Sequence, residues 1–324
     1  MAAPLLPTVN QHPGIAMKHL LAVALVLFAA LPAWGQEPLR IGVLPIEDSA
    51  PLHVALEQGF YKAEGIAVEL VPFQSALERD SALAAGAIDG AVDDPIGAIL
   101  FDKGQGRLKI ASLCLGANPG EGVFAILAAP EAKLSSVNDL KGVEIAVSSA
   151  TIIEYVTDRL LAGHGFKDGD IKKIEVVKMP IRMQMLLSGA VKAATLPEPL
   201  ASIAVSRGAT VLASDGSGAE SLSQTVLVFR DQAIAHRKAD IQAFFRAYRQ
   251  AVRAIGADPE RFRALIIDTG RIPPNLAKDY VIPRFPEPQP FPQAFYTPII
   301  SWLTAKGLVT DIPYRAMVAD DVLP

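Results

Sequence analysis

The sequence predicts an α/β protein of two lobes, each built on a mainly parallel β-sheet flanked by helices. Short β-rich runs alternate with helical patterns through most of the chain, which is typical of βαβ units. The 324 residues, 51% of them hydrophobic, are too many for one ordinary core and fit about two lobes. Residues 83–92 are echoed by residues 186–195, since both segments end a helix at a glycine and begin a strand.

The predicted elements of the first half alternate regularly. Pro51 suits a first helical turn, and Gly59 and Gly86 suit helix ends. The predicted strands are residues 40–44, 67–71, 88–92 and 108–113, and the predicted helices are residues 51–58, 75–85 and one that begins at Pro95.

The second half repeats this alternation up to about residue 195. The predicted strands are residues 123–127, 143–147, 174–177 and 191–195, and the predicted helices are residues 151–162 and 181–188. From Asp240 the pattern becomes mostly helical. Residues 271–298 are rich in proline, which excludes a regular helix or a central strand. We therefore expect an ordered, irregular surface segment there.

The N-terminus has the pattern of a secretory leader. Lys18 precedes an apolar run at residues 20–31, and small residues follow up to Gly35. The run is shorter than the roughly 20 residues that a membrane span needs. Because nothing upstream of Lys18 is charged, Met17 is a candidate start. We expect a leader over residues 1–35 with its signal peptide in 17–35, a processed chain that begins at Gln36, and a periplasmic protein.

Charge and cysteine content exclude several classes of protein. The formal net charge of −4 argues against a nucleic-acid binder, which needs a basic face. Cys114 is the single cysteine, so the chain has no internal disulfide and no cysteine-based zinc site. His53, His164 and His236 lie in unrelated segments without metal-ligand spacing, and no phosphate loop or nucleophile elbow occurs. We expect no enzyme activity, no cofactor and no metal.

Several motifs occur in a fixed order between about residues 40 and 230. They are IGVLP at 41–45, PLHVALEQGFYKAEGI at 51–66, ALAAGAID at 82–89, SVNDLKGVEIAV at 136–147 and PEP at 197–199. Through these motifs and their order, the chain resembles the periplasmic solute-binding proteins of ABC importers that take up nitrate, sulfonates, taurine or thiamine pyrimidines. The C-terminal third agrees with that family only in its helical character.

The resemblance implies a type II periplasmic binding protein, with a ligand cleft between two lobes that close by a hinge motion. Lobe one would comprise residues 36–122 plus 226–324, and lobe two residues 123–225. The implied partners are a small-molecule solute and the ABC permease and ATPase complex of the inner membrane, with no nucleic acid. We expect a monomer. An exported sensor and an enzyme on the same fold are the alternatives from other classes.

The candidate ligand-binding residues lie in loops that follow the predicted strands, because ligands of α/β sheets gather at strand carboxyl ends. Ser148, Ser149 and Thr151 precede a helix, whose N-terminus is suited to a carboxylate, sulfonate or nitrate. Simple N-capping is the other interpretation of these hydroxyls. The complete candidate set is Glu47, Asp48, Ser49, His53, Phe73, Asp93, Asp94, Ser148, Ser149, Thr151 and Glu198.

The charges of these loops favour a cationic ligand. The loops contain several acids, Glu121 among them, and neither lysine nor arginine; the nearest cation, Arg182, is expected to face solvent. An anion site usually supplies an arginine, whereas acids suit an amine or a protonated ring nitrogen. Closure is expected to bring Glu198 towards Asp93 and Asp94. We therefore favour an amine or a nitrogen heterocycle such as a thiamine-pyrimidine precursor, with a sulfonate, taurine or nitrate as the alternative.

Overall fold

The computed structural model describes residues 1–2, 37–218, 220–319 and 321–324. Residues Pro38–Pro324 form one compact unit. The predicted signal peptide, residues 17–35, lies outside the described residues.

Ten strands build the described part of this unit, eight of them at predicted positions and two, at residues 210–214 and 225–230, where the sequence analysis predicted none. The strands are β1 (Leu39–Val43), β2 (Val68–Pro72), β3 (Gly90–Asp93), β4 (Leu108–Leu115), β5 (Phe124–Ala128), β6 (Glu144–Val147), β7 (Lys172–Glu175), β8 (Ala193–Pro197), β9 (Thr210–Ser214) and β10 (Thr225–Arg230).

Twelve α-helices occur among the described residues, together with short 3₁₀ turns. The helices are α1 (Ala50–Glu57), α2 (Phe60–Ala63), α3 (Ala76–Ala84), α4 (Pro95–Asp102), α5 (Ile152–Gly163), α6 (Met179–Leu187), α7 (Leu200–Ser206), α8 (Asp231–Ala257), α9 (Pro259–Thr269), α10 (Pro274–Ala277), α11 (Gln293–Ala305) and α12 (Tyr314–Met317).

The strands form two five-stranded sheets with the same plan. The first sheet has the order β2-β1-β3-β10-β4 and the second has the order β7-β6-β8-β5-β9. In each sheet the first three strands of this order are parallel to one another, and the fourth, β10 or β5, runs antiparallel to both of its neighbours. The expectation of two mainly parallel sheets is thus confirmed, with one antiparallel strand in each.

The chain passes between the sheets twice. It leaves the first sheet after β4, forms the whole second sheet from β5 to β9, and returns as β10. The lobe boundaries expected from the sequence stay a prediction. The loops after β1, β3, β6 and β8 lie between the two sheets and supply the residues of the candidate site.

The proline-rich segment differs from expectation at its C-terminal end. Residues 278–292 are mostly irregular, but α11 begins at Gln293 and contains Pro298 in its interior. The prediction that no regular helix includes residues 293–298 is therefore wrong. Pro298 removes one helical hydrogen bond. Burial of the apolar face of α11, which includes Ile299 and Leu303, offsets that loss.

Candidate functional site

A small cavity lies between the two sheets and is lined from both sides. The first sheet contributes Asp48, Arg79, Asp93 and Asp94, and further lining residues are Ser148, Thr151, Ile152 and Thr225. Its volume of about 30 Å³ is room for roughly two water molecules. The cleft is therefore closed around this cavity, and a solute larger than water enters it only when the lobes separate.

Arg79 organises the first-sheet side of this cavity. It lies on the buried face of α3 and is only 3% exposed. Its Nε donates to Asp80 Oδ1 at 2.7 Å, its Nη1 donates to the Val92 carbonyl at 3.0 Å, and its Nη2 pairs with Asp93 Oδ1. Asp94 Oδ2 lies 4.0 Å from the same Nη2. Arg79 thus joins α3 to the end of β3 through charge-assisted hydrogen bonds.

Four carboxylates surround this single guanidinium. Burial raises the pKa of Asp48 to about 7 and that of Asp94 to about 6, although Arg79 opposes both shifts. Burial also raises the pKa of Asp80 and, well above its usual range, that of Asp93. The four acids exceed the charge that Arg79 neutralises. Protons, or donor groups from outside the cluster, must balance the surplus.

Two oxygens of this cluster lack a hydrogen-bond donor. Asp48 Oδ1 and Asp93 Oδ2 are buried and make no hydrogen bond within the described residues, and the Thr225 hydroxyl, which makes none either, is near enough to Asp48 to lower its pKa. Both side chains line the cavity, and the residues are 3% and 1% exposed. A buried polar group without a partner costs about 1–3 kcal/mol. The cavity therefore presents two acceptors that suit a group with N–H or O–H donors.

Asp94 connects the two sides of the cleft. Its Oδ1 accepts a hydrogen bond from the Gly97 N–H at 2.9 Å, which caps α4. The backbone N–H of Ile152, in the first turn of α5, also lowers the Asp94 pKa. The positive end of the α5 dipole thus faces a carboxylate from the other side of the cleft, as it would face an anionic ligand.

The second-sheet side contains an arginine that the sequence analysis placed wrongly. Arg182 is 0% exposed, so the expectation that it faces solvent is wrong. It donates to the carbonyls of Val176 and Thr195 at 3.0 and 3.1 Å and to the Ser148 hydroxyl. Burial lowers its pKa to about 10. The Arg182 side chain points into the protein because the carbonyl oxygens at the strand ends accept its hydrogen bonds in place of water.

The hydroxyls at the start of α5 have mixed roles. Thr151 Oγ1 accepts from the Ile153 N–H at 3.2 Å and donates to the Ser148 carbonyl at 2.8 Å, so it caps α5 while lining the cavity. Ser149 is exposed, and both its N–H and its hydroxyl bind Glu175. Ser148 and Thr151 therefore reach the cleft, and Ser149 points away from it.

Glu47 and Glu198 meet in a second cavity. Its volume is about 310 Å³, and Asp279 and Tyr280 line it with them. Tyr280 donates its hydroxyl to Glu47 Oε2 at 2.6 Å, while Glu198 accepts from the Ser202 hydroxyl at 2.9 Å. Burial raises the Glu47 pKa to about 8, and the Glu198 charge adds to the rise.

This arrangement corrects the expected convergence of acids. The structure brings Glu198 to Glu47, whereas Asp93 and Asp94 line the other cavity with Arg79. The acids that follow the echoing strands β3 and β8 therefore line two different cavities and do not converge on one ligand position.

Three remaining candidates have local structural contacts. The Ser49 hydroxyl donates to the carbonyls of Leu44 and Ile46 at 3.1 and 2.8 Å and so stabilises the turn after β1. His53 is half-buried on α1, and burial lowers its pKa. The Phe73 ring packs over Gly42 of β1, 3.2 Å from where a Cβ would stand. None of the three lines the two cavities described above.

The sequence places the chain in a family. Residues 33–267, most of its length, match the NMT1-like family. The chain belongs to the NMT1-like family. No protein with a curated description matches the sequence.

Several solved structures have a fold similar to that of this NMT1-like protein. The alkanesulfonate-binding protein SsuA from Xanthomonas axonopodis pv. citri, bound to MOPS, is 20% identical over 88% of this chain and 99% of its own, with a TM-score of 0.74. A zinc-bound ligand-binding component of an ABC-type import system from Staphylococcus aureus is 18% identical over 89% and 98%, with a TM-score of 0.73. The periplasmic nitrate-binding protein NrtA from Synechocystis PCC 6803 is 17% identical over 78% and 74%, with a TM-score of 0.59. The two-lobe binding-protein fold is therefore confirmed.

Arg79 is the residue of the NMT1-like site that the sequence analysis missed. The signal was present in the helical periodicity, since residues 76, 79, 80 and 83 fall on one face of α3. Leu83 marks that face as buried, and a buried arginine needs acidic partners. Arg79 lies outside the loops after the strands, on the helix that packs behind them.

Two further properties of the described part of this NMT1-like chain bear on function. No group of three or more histidine, cysteine, aspartate or glutamate side chains there is arranged to hold a metal ion. None of the helices formed by residues 37–218, 220–319 and 321–324 has the length and apolar character that crossing a membrane requires.

Proposed function

We propose that this NMT1-like protein is the periplasmic solute-binding component of an ABC importer and delivers its solute to a permease and ATPase complex. The solute carries an amine or a nitrogen heterocycle, such as a thiamine-pyrimidine precursor, and binds between the lobes. The fold shared with an alkanesulfonate-binding protein and with the ligand-binding component of an ABC-type import system supports the receptor role. The two unpaired oxygens, Asp48 Oδ1 and Asp93 Oδ2, are the observation that supports the ligand class.

The chemistry of the cavity explains this preference. When they are ionised, the carboxylates around Arg79 carry more negative charge than one guanidinium balances, and burial therefore raises their pKa values. An N–H donor with positive charge placed there gives Asp48 and Asp93 their missing hydrogen bonds and removes the surplus charge. A simple anion adds a like charge to a dry site and is disfavoured.

Calorimetric titration tests this ligand class. We expect 4-amino-5-hydroxymethyl-2-methylpyrimidine to bind the wild type more tightly than ethanesulfonate or nitrate. Asp48→Asn should weaken pyrimidine binding about 10- to 100-fold, the effect of losing one hydrogen bond to a charged group. Glu198→Gln is the matched control, because Glu198 lines the other cavity and should leave binding unchanged. Equal or tighter sulfonate binding, with pyrimidine binding insensitive to Asp48→Asn, would refute the assignment.

A sulfonate, taurine or nitrate receptor is the second candidate, and the second-sheet side of the cleft favours it. Buried Arg182 places a positive charge behind the Ser148 hydroxyl, and the N-terminus of α5 faces the cavity. These groups suit an anion once Asp94 withdraws from α5. In this case Ser148→Ala weakens ethanesulfonate binding, and Asp48→Asn does not.

An exported sensor or an enzyme on this fold is the alternative from another class. Incubation of the pyrimidine with the protein, followed by mass spectrometry, separates a receptor from an enzyme. A receptor returns the solute unchanged, whereas an enzyme yields a product of different mass. If genes for a permease and an ATPase lie next to the gene for this protein, the importer is favoured over a sensor.

Export provides an independent test of the location. We expect the protein isolated from periplasmic extract to be a monomer. We also expect it to begin at Gln36, because Gly35 ends the signal-peptide pattern. Sequencing of its N-terminus checks this. Periplasmic material that retains Met1 or Met17 contradicts the prediction of a cleaved leader.

A further inference from the structure

The C-terminal end of α11 contacts α5 through Trp302. Its indole Nε1 donates to Asp158 Oδ2 at 3.2 Å. Its ring also meets the Tyr155 ring edge-on, with the centroids 5.5 Å apart and the planes at 84°. Trp302 therefore binds α5 through both a hydrogen bond and an aromatic contact.

Lys306, one turn further along, reaches the same helix. Its Nζ lies 3.0 Å from Glu154 Oε1 and 3.0 Å from Asp158 Oδ2. Lys173 of β7 binds the same two acids from the other side, at 2.6 and 2.8 Å. The side chains of Glu154 and Asp158 are only 10% and 14% exposed, so water screens these pairs less than ordinary surface pairs.

The two contacting helices belong to different sheets. α11 packs against α4 beside the first sheet, and the segment after it joins β4, where Lys109 Nζ donates to the Ala316 carbonyl at 2.7 Å. α5 packs against β5 and β8 of the second sheet, and its N-terminus lines the small cavity. Contacts between α11 and α5 therefore bridge the cleft.

We propose that Trp302 and Lys306 form a latch that holds the two lobes closed. Neither residue lines the small cavity, so neither is placed to touch a solute there. The latch acts by raising the closed fraction of the protein, and the apparent affinity for any solute rises with that fraction. This role follows from the contacts alone and does not depend on which solute binds.

Lys173 provides a matched control for Lys306. Both ammonium groups pair with Glu154 and Asp158 of α5. Lys173, however, lies in β7 of the second sheet, on the same side of the cleft as α5. Lys173→Gln removes ion pairs within one lobe, and Lys306→Gln removes ion pairs between lobes. A change confined to the second variant therefore reports on closure.

The test uses tryptophan fluorescence and small-angle X-ray scattering of the processed chain that begins at Gln36. Trp34 is removed with the leader, so Trp302 is the single tryptophan of this chain. We expect Lys306→Gln to lower the closed-to-open ratio about three- to tenfold, the scale of a partly buried charged contact. Acrylamide quenching of Trp302 and the radius of gyration both rise, and Lys173→Gln changes neither.

Two outcomes overturn the latch. The first is an unchanged radius of gyration and unchanged quenching in Lys306→Gln. The second is an equal change in both lysine variants, which assigns the effect to α5 itself. Asp158→Asn, which removes a partner of both Trp302 and Lys306, is the second variant and should match Lys306→Gln. Circular dichroism confirms that each variant is folded before the comparison.

Discussion

Replacing Arg79 with methionine is expected to destabilise the protein by about 3–5 kcal/mol at pH 7, because it leaves buried acids without their counter-charge. The guanidinium pairs with Asp80 and Asp93, and both residues are almost completely buried. Urea unfolding at pH 7 measures the loss of unfolding free energy.

The loss in Arg79→Met should depend on pH. Without Arg79 the buried carboxyls keep raised pKa values, so the folded state binds protons more tightly than the unfolded chain. Such a group contributes stability that is present below its unfolded pKa, near 3.8, and is lost as pH rises through the folded value. We therefore expect the variant to recover stability between pH 7 and pH 4.

Arg182→Met is the control for this experiment. Arg182 is buried too, but its hydrogen bonds go to carbonyl oxygens and to the Ser148 hydroxyl. Its loss should destabilise the protein without the recovery at low pH. The charge-balance account of Arg79 fails if both variants show the same pH dependence.

Glu47→Gln is expected to make the protein more stable than wild type at pH 8 to 9. Burial raises the Glu47 pKa from 4.5 to about 8, so in wild type the folded state holds a proton there that the unfolded chain releases. Stability from this group is complete below pH 4.5 and is lost as pH rises through 8. Glutamine is neutral at every pH and still accepts from the Tyr280 hydroxyl.

The magnitude follows from the size of the shift. A shift of several pKa units corresponds to about 3–5 kcal/mol of wild-type stability lost across that pH range. Denaturant unfolding from pH 5 to pH 9 should give a flatter profile for Glu47→Gln than for wild type. Glu57→Gln, at an exposed position on α1, is the control and should keep the wild-type slope. A wild-type slope in Glu47→Gln contradicts the buried, protonated state.

The repeated plan of the two sheets was predictable from local signals. Apolar runs of strand length, helices that end at Gly86 and Gly189, and the echo between residues 83–92 and 186–195 recur in the two halves. The structure assigns these echoing segments to β3 and β8, which hold the same central position in their sheets. Local periodicity suffices here because residues on one face of a strand or helix recur at a fixed spacing along the chain.

The electrostatics of the cleft were predictable only in part. The acids at 48, 93 and 94 follow strands, and the sequence analysis placed them near the ligand; the structure also places them at the cavity. The arginines at 79 and 182 lie on helices, and their inward direction depends on acceptors that arrive from other strands. The net charge of a site includes the side chains of every element that packs around it. The charges of the loops alone therefore did not include these two arginines.

By itself, the sequence determined the α/β class, the order of the strands up to β8, and the positions of the acids after the strands, because these follow from local periodicity and turn chemistry. Only the tertiary structure decided which charges meet. It paired Glu47 with Tyr280, Asp93 with Arg79, and Lys306 with α5. Two of these pairs, Glu47 with Tyr280 and Lys306 with Glu154, join residues more than a hundred positions apart, and the energy of a buried charge depends on the partners that packing supplies.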